Sequence, residues 1–202
     1  MTITFLIIAA IGGYLLGSVP FGLVLVRMAG LGDIREIGSK SIGATNVLRT
    51  GRKDLALATL LLDAGKGGIA VLLARYYLGE TAALIAGVAA FAGHCWPIWL
   101  RFKGGKGFAT YLGTLFAFNI IVALLVCLTW AIVAFARKFS SLAALSAGAA
   151  APVFAWIWSG PYLSAACAVI SIFLYYRHKE NILRLMNGTE PKIGSEKSQS
   201  AS

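Results

Sequence analysis

The chain has 202 residues, of which 58% are hydrophobic and 13% charged, about half the charged share of a globular domain at roughly 25%. With a mean hydropathy of +0.79, too little polar surface remains to cover a soluble domain, which excludes a disordered chain and leaves lipid as the solvent. Eighteen Lys and Arg against eight Asp and Glu give +10, which on a membrane protein means cytoplasmic loops, anionic headgroups or an anionic substrate; no basic helix or RNA-binding aromatic pattern points to nucleic acid.

The first apolar run covers about residues 3–28. It follows Met1 without a positive n-region and is longer than the about 7–15 residues of a signal peptide core, so it is expected to stay in the mature protein. Within it Gly13 and Gly17 form a GxxxG pair, and Pro20 and Gly22 follow, which predicts close helix packing and a kink. Further apolar runs cover about 55–78, 81–100, 108–136, 142–158 and 161–176. The 108–136 run is too long for one untilted crossing of roughly 30 Å at about 1.5 Å per residue.

Sixteen of the eighteen cations fall in the stretches 27–53, 101–106, 137–138 and 177–197. The positive-inside rule puts all four in the cytoplasm, so both ends of the 108–136 run lie on one side. That requires a break, and Asn119 is the polar, helix-weak residue near its middle. The expected fold is an all-α polytopic membrane bundle of about seven transmembrane segments, N-terminus out and C-terminus in. A single tilted helix over 108–136 is the alternative; it gives six segments and strands Arg137 and the C-terminal basic cluster outside. Residues 1–193 read as one transmembrane domain, and 194–202 as a small polar tail with nothing to bury, expected to be disordered. Cys95, Cys127 and Cys167 are odd in number, lie in apolar segments and lack CxxC spacing, so neither a disulfide nor a metal cluster is expected.

Three polar loops carry the chemistry. The first, Gly38-Ser39-Lys40-Ser41-Ile42-Gly43-Ala44-Thr45-Asn46-Val47-Leu48-Arg49, mixes glycines that let backbone N–H groups approach an anion with hydroxyls, an amide and an arginine fork suited to phosphate oxygens. A solvated turn with a helix cap uses the same residues. In the second, Arg101-Phe102-Lys103-Gly104-Gly105-Lys106-Gly107-Phe108, a glycine-rich basic turn leads directly into a helix, whose N-terminus attracts anions. It is not a Walker A motif, because Gly107 stands where Ser or Thr is required. The rival reading is a basic topology determinant. In the third, Arg177-His178-Lys179-Glu180-Asn181, the pair His178 and Asn181 share one helical face, while Arg177 and Lys179 read as juxtamembrane anchors.

Asp63 and Lys66 lie three residues apart inside the second run and can pair there, as a structural anchor or a functional pair. His94, in Gly93-His94-Cys95-Trp96-Pro97, is a core histidine or a ligand contact. No GxSxG elbow, HExxH, HxxxxD or carboxylate cluster occurs, so an enzyme built on this chain works without a triad or a metal.

Taken together, Tyr14-Leu15-Leu16-Gly17-Ser18-Val19-Pro20-Phe21-Gly22, GSKSIGATNVLRTG, Asp63-Ala64-Gly65-Lys66-Gly67, GHCWPIWLRFKGGKGFAT and RHKENILRLMNGTEPKIG resemble the PlsY family over about residues 10–194. These are bacterial acylphosphate-dependent glycerol-3-phosphate acyltransferases of the inner membrane. The resemblance implies transfer of a fatty acyl group from acyl phosphate to the 1-hydroxyl of glycerol 3-phosphate, giving lysophosphatidic acid and phosphate. Its partners would be the two substrates and membrane lipid, with no cofactor and no obligate protein partner, and no His, Cys or carboxylate spacing fits a divalent metal site. Residue by residue, it makes Ser39 and Arg49 catalytic, with Gly43 and Asn46 beside the substrate, and Gly104, Gly105, Lys106 and Gly107 a phosphate cradle. His178 and Asn181 would complete the catalytic set, Glu190 would bind substrate or brace the site, and Lys66 and His94 would add contacts. Lys40-Ser41 stands where the family usually shows Gly-Asn. A transporter for a phosphorylated solute is the alternative from another class, built on the Pro20 kink, the Asn119 break and the Asp63 and Lys66 charges.

Overall fold

The computed structural model describes residues 2–194. Ten α-helices follow in chain order: α1 (Ile3–Gly17), α2 (Phe21–Met28), α3 (Ala44–Val47), α4 (Lys53–Leu78), α5 (Glu80–Cys95), α6 (Phe108–Phe118), α7 (Ile120–Arg137), α8 (Ser140–Ser159), α9 (Pro161–Arg177) and α10 (Lys179–Met186). Among the described residues, five stretches are long and apolar enough to cross a membrane: Ile3–Met28, Lys53–Leu78, Glu80–Leu100, Ile120–Arg137 and Ser140–Ser159. Against the expected seven segments, α9 has 17 residues and α6 only 11.

The first run kinks where expected. α1 stops at Gly17, and Pro20, which has no N–H to donate, precedes α2. The break takes the Val19 carbonyl out of the helical ladder, and it accepts from the Phe21 N–H at 3.1 Å and from Lys66 Nζ at 2.7 Å, as a backbone group in lipid needs partners inside the protein. The GxxxG pair lies flat on α5. A Cβ at Gly13 would come 2.5 Å from the Ala86 carbonyl oxygen, and one at Gly17 would collide with Ala90.

The 108–136 run breaks at Asn119, which is extended at φ −154° and ψ 114°. Its Oδ1 accepts from the N–H groups of Ile121 (2.9 Å) and Val122 (3.2 Å), capping α7. Its amide donates to the Trp158 carbonyl (3.1 Å) and Ser159 Oγ (2.8 Å) at the end of α8. The continuous-helix alternative does not form.

α6 is short because it covers only half the bundle, about 16 Å at 1.5 Å per residue. It lies along the second half of α4: Gly67 meets Thr110, Gly113 meets Ala64, and Arg75 Nη1 donates to the Ala117 carbonyl at 2.6 Å. The start of α6 is therefore level with Gly67, the fifteenth residue of α4, and the loop before it dips into the bundle.

Contacts gather the four basic stretches at one end, the first of them through Leu100, which packs on the cluster of Ile34, Ile42 and Val47. Arg177 reaches the carbonyls of Gly104 and Gly105, Ser141 reaches Glu190, and Ile193 N donates to the Lys138 carbonyl at 2.7 Å. The opposite end holds the Arg75–Glu80 ion pair and the Asn119 contacts. The largest buried cluster, with Phe91, Tyr111, Leu115, Val122, Cys167 and Leu174 among its members, fills the space between α5, α6, α7, α8 and α9 beneath the basic end. Apart from Gly194, the tail expected to be disordered lies outside the described residues.

Candidate active site

The first loop is shaped around Asn46, which is 1% exposed. Its Nδ2 donates to the carbonyls of Ile34 (3.0 Å), Ile37 (3.0 Å) and Ser41 (2.8 Å), and its Oδ1 accepts the Ser39 N–H (3.0 Å). The amide is thus committed to holding the turn that presents Ser39, rather than facing outward. Gly38 sits at φ +50°, and a Cβ there would come 2.6 Å from Arg49 Cδ and 2.7 Å from Nη1. Glycine is needed at that point because the Arg49 side chain lies against the backbone. Arg49 itself stands in a 3-10 turn, Leu48–Thr50, ended by Gly51 at φ 82°. Gly43 is the residue before α3 and has no side chain with which to cap it.

The second loop is tied down by backbone. Gly104 N donates to the Cys95 carbonyl (3.2 Å) and Gly105 N to the His94 carbonyl (3.1 Å). Two of the N–H groups that the glycine pattern suggested for phosphate are therefore spent inside the loop. What remains is the start of α6. Gly107, at φ 83°, is its N-cap, with no side-chain cap, and a helix begins with N–H groups that lack intrahelical partners. Lys106 stands immediately before it. Burial, opposed by the nearby Glu190 carboxylate, lowers its ammonium to about 8; Arg184, Glu180 and Arg49 also act on it.

The third motif closes the site from α9 and α10. His178 is 3% exposed, and its Nδ1 lies 2.8 Å from the Leu174 carbonyl. A carbonyl can only accept, so Nδ1 carries the proton and neutral His178 has its lone pair on Nε2. Burial, followed by the Lys106 charge, lowers its pKa to about 4. Glu190 is a hub: Oε1 accepts from Ser141 Oγ and Asn181 Nδ2, both at 2.6 Å, and Oε2 from Arg184 Nε at 2.7 Å. Burial raises the Glu190 pKa, but those donors outweigh it and hold the carboxyl below its ordinary value. Asn181 Oδ1 is buried without a partner, an acceptor held in place by the Asn181–Glu190 bond.

Arg49, Lys106, His178, Asn181 and Glu190 thus converge at the basic end. Lys66 and His94 form a separate layer beneath them. Lys66 Nζ lies 2.6 Å from Asp63 Oδ1, and His94 Nδ1 lies 3.5 Å from the same oxygen. All three are buried. The charges that suggested a transporter are paired with one another. Their layer joins the kink after α1 to α4 and to the Gly105 partner His94.

Sequence reasoning missed Arg177, read as a membrane anchor. Its Nε donates to the Gly105 carbonyl (3.0 Å) and its Nη2 to that of Gly104 (2.8 Å), with the guanidinium 5.7 Å from the Trp96 ring centroid. It also missed Ser141, which sits at the start of α8 and had no motif around it. Neither residue carried a signal separable from a basic helix end or an ordinary hydroxyl.

A model of the glycerol-3-phosphate acyltransferase family matches residues 7–188. A glycerol-3-phosphate acyltransferase of Maricaulis maris (strain MCS10) is 57% identical over 193 residues, covering 96% of this chain and 89% of its own. One of Paramagnetospirillum magneticum (strain ATCC 700264 / AMB-1) is 58% identical over 192 residues, covering 95% and 96%. Among solved structures, the integral membrane glycerol 3-phosphate acyltransferase PlsY in its glycerol 3-phosphate form superposes with a TM-score of 0.88 at 37% identity, covering 94% of this chain and 96% of that one. Its lysophosphatidic acid form gives 0.87 at 36%, covering 94% and 95%.

Proposed function

This chain belongs to the glycerol-3-phosphate acyltransferase family, and on that premise we propose that its acyl donor is a fatty acyl phosphate. The acyl group passes to the 1-hydroxyl of glycerol 3-phosphate, giving lysophosphatidic acid and inorganic phosphate at the cytoplasmic face of a bacterial inner membrane. The observation that carries this reading is the meeting of Arg49, Lys106 and the uncapped start of α6 at one end of the bundle with neutral His178. Two phosphates are brought together where cations and N–H groups are concentrated, and no carrier-protein or nucleotide motif is present. What supports the cytoplasmic face is that the basic stretches share one end of the bundle, as the positive-inside rule expects of cytoplasmic loops.

An acyl phosphate is already activated, so the protein's work is to hold two anions in reacting geometry and to stabilise charge growing on the carbonyl oxygen and the departing phosphate. The glycerol 1-hydroxyl oxygen forms the new ester bond to the acyl carbon, the acyl C–O bond to phosphate breaks, and the hydroxyl proton leaves. Ser39 and Arg49 face the developing charge. Lys106 and the α6 N-terminus hold phosphate, and Asn181 Oδ1 offers an acceptor to a substrate hydroxyl. The proton goes to a phosphate oxygen of the substrate: a phosphate monoester has a second pKa of about 6, above the value of about 4 to which His178 is lowered. Asn46, Glu190, Lys66, His94, Gly104 and Gly105 position these groups from behind.

The test is turnover by the purified protein with palmitoyl phosphate, palmitoyl-CoA and palmitoyl acyl carrier protein offered separately. Efficient product formation from palmitoyl phosphate alone is the expected result. Comparable kcat/KM with palmitoyl-CoA overturns the donor assignment.

A further inference from the structure

We infer that Arg177 is a positioning residue for the reaction: its guanidinium fork, by holding the carbonyls of Gly104 and Gly105 together, aims the phosphate-binding turn that follows them. The two glycine residues are gripped from both sides, and the Gly104–Gly105 peptide is held at its carbonyl and its N–H alike. Their N–H donors at Gly104 and Gly105 go to the carbonyls of Cys95 and His94 at the end of α5. Their carbonyls go to Nη2 and Nε of Arg177 at the end of α9.

In a trans peptide the C=O and the next N–H point in opposite directions. Fixing the Gly105 carbonyl on Arg177 therefore fixes the Lys106 N–H on the far side, just where the chain turns through Gly107 into α6. A planar fork is suited to this because it can serve two acceptors at once in a set geometry, which an ammonium on a flexible stem does less well. The fork is itself held. Its Cζ lies over the Trp96 ring, 5.7 Å from the centroid, a cation–π distance, and Trp96 packs edge-on against Phe173 of α9 at 5.4 Å.

Arg177 also precedes His178, so one residue fixes the distance between the turn that carries Lys106 and the imidazole. The Arg177 charge contributes to the lowering of the His178 pKa as well. Two loops far apart in sequence are held in register by three planar groups: two glycine peptides and one guanidinium.

This inference rests on the phosphate-binding role proposed for the Lys106 turn, and it is tested by a measurement that needs no acyl donor. Calorimetric binding of glycerol 3-phosphate to the purified protein is compared among wild type, Arg177→Lys and Arg177→Ala, with melting temperature as a control. Both variants are expected to bind about tenfold more weakly with unchanged melting. Methylguanidinium should restore binding to Arg177→Ala, whereas methylammonium at the same concentration should not. In turnover with palmitoyl phosphate, KM for glycerol 3-phosphate should rise about tenfold with kcat changed less than threefold.

Wild-type affinity in Arg177→Lys would show that charge alone suffices and would overturn the inference. So would equal effects of the two added cations. If Arg177→Ala fails to fold, Arg177→Lys alone decides. Failure of the wild type to use palmitoyl phosphate would sink the donor assignment and leave the binding comparison standing.

Discussion

Gly105 lies directly against His94: its N–H donates to the His94 carbonyl at 3.1 Å, and a Cβ built on it would fall on the His94 imidazole at Nε2. The close approach explains glycine at a position whose φ is otherwise ordinary. Gly105→Ala must push either the ring off Asp63 or the loop off α5. The expected outcome is a rise in KM for glycerol 3-phosphate of roughly tenfold, about 1.4 kcal/mol of lost binding. Steady-state kinetics at 25 °C check this, and unchanged KM would mean that the ring yields without moving the loop.

Arg49 and Lys106 are both cations but should fail differently. Arg49, pressed against Gly38 beside Ser39, is assigned to charge that grows in the transition state. Arg49→Lys should lower kcat by about 10² to 10³. Lys106→Ala should raise KM more than it lowers kcat, because the α6 N-terminus continues to hold phosphate in ground state and transition state alike. Near-normal kcat in Arg49→Lys, with kcat abolished in Lys106→Ala at saturating substrate, would reverse the two roles.

The pH dependence of binding follows from Lys106. Burial lowers its pKa to about 8, and the protonated form is the one that attracts phosphate. KM for glycerol 3-phosphate should stay level between about pH 6.5 and 7, where the phosphate is already a dianion, and climb as pH passes 8. Lys106→Arg keeps its charge throughout, so its KM should stay flat to pH 9.5. A wild-type KM that is equally flat would show that Lys106 does not titrate at the phosphate.

Lys40 is strained. It holds φ 56° in a turn where the related family usually has glycine. An L-residue in that region costs roughly 1–2 kcal/mol, partly offset by the greater freedom glycine has in the unfolded chain. Lys40→Gly should therefore raise stability by about 0.5–1 kcal/mol, read as a melting temperature higher by about 1–4 °C in detergent. A lower melting temperature would show that the Lys40 side chain contributes more than its backbone costs.

The face of the membrane can be mapped directly. With Cys95, Cys127 and Cys167 replaced, single cysteines at Ser39, Lys103 and Lys138 should resist an impermeant thiol reagent in intact cells and react after lysis. A cysteine at Tyr162, at the opposite end of the bundle, should react in intact cells. Reaction at position 138 alone among the first three would place α7 and α8 the other way up.

Sequence alone was enough for the membrane-embedded helical class, the kink at Pro20 and the break at Asn119, and it singled out the three loops proposed to hold the site. Those features follow from hydropathy, proline, side-chain capping and the distribution of charge, all of which act locally along the chain. What it left undecided was how each polar group is used, because a donor or acceptor is defined by the partner that the fold brings to it. Asn46 looked like a substrate contact and is consumed by the backbone of its own loop. The N–H groups of Gly104 and Gly105 looked free and are held by α5. Arg177 looked like a lipid anchor and bridges the two glycine carbonyls instead. The short length of α6 follows from the break at Asn119, but its place was hidden, since it packs on the second half of α4, where glycines let the two backbones approach. A buried hydrogen bond must be satisfied by whatever is nearest in space, and only the tertiary structure decides what that is.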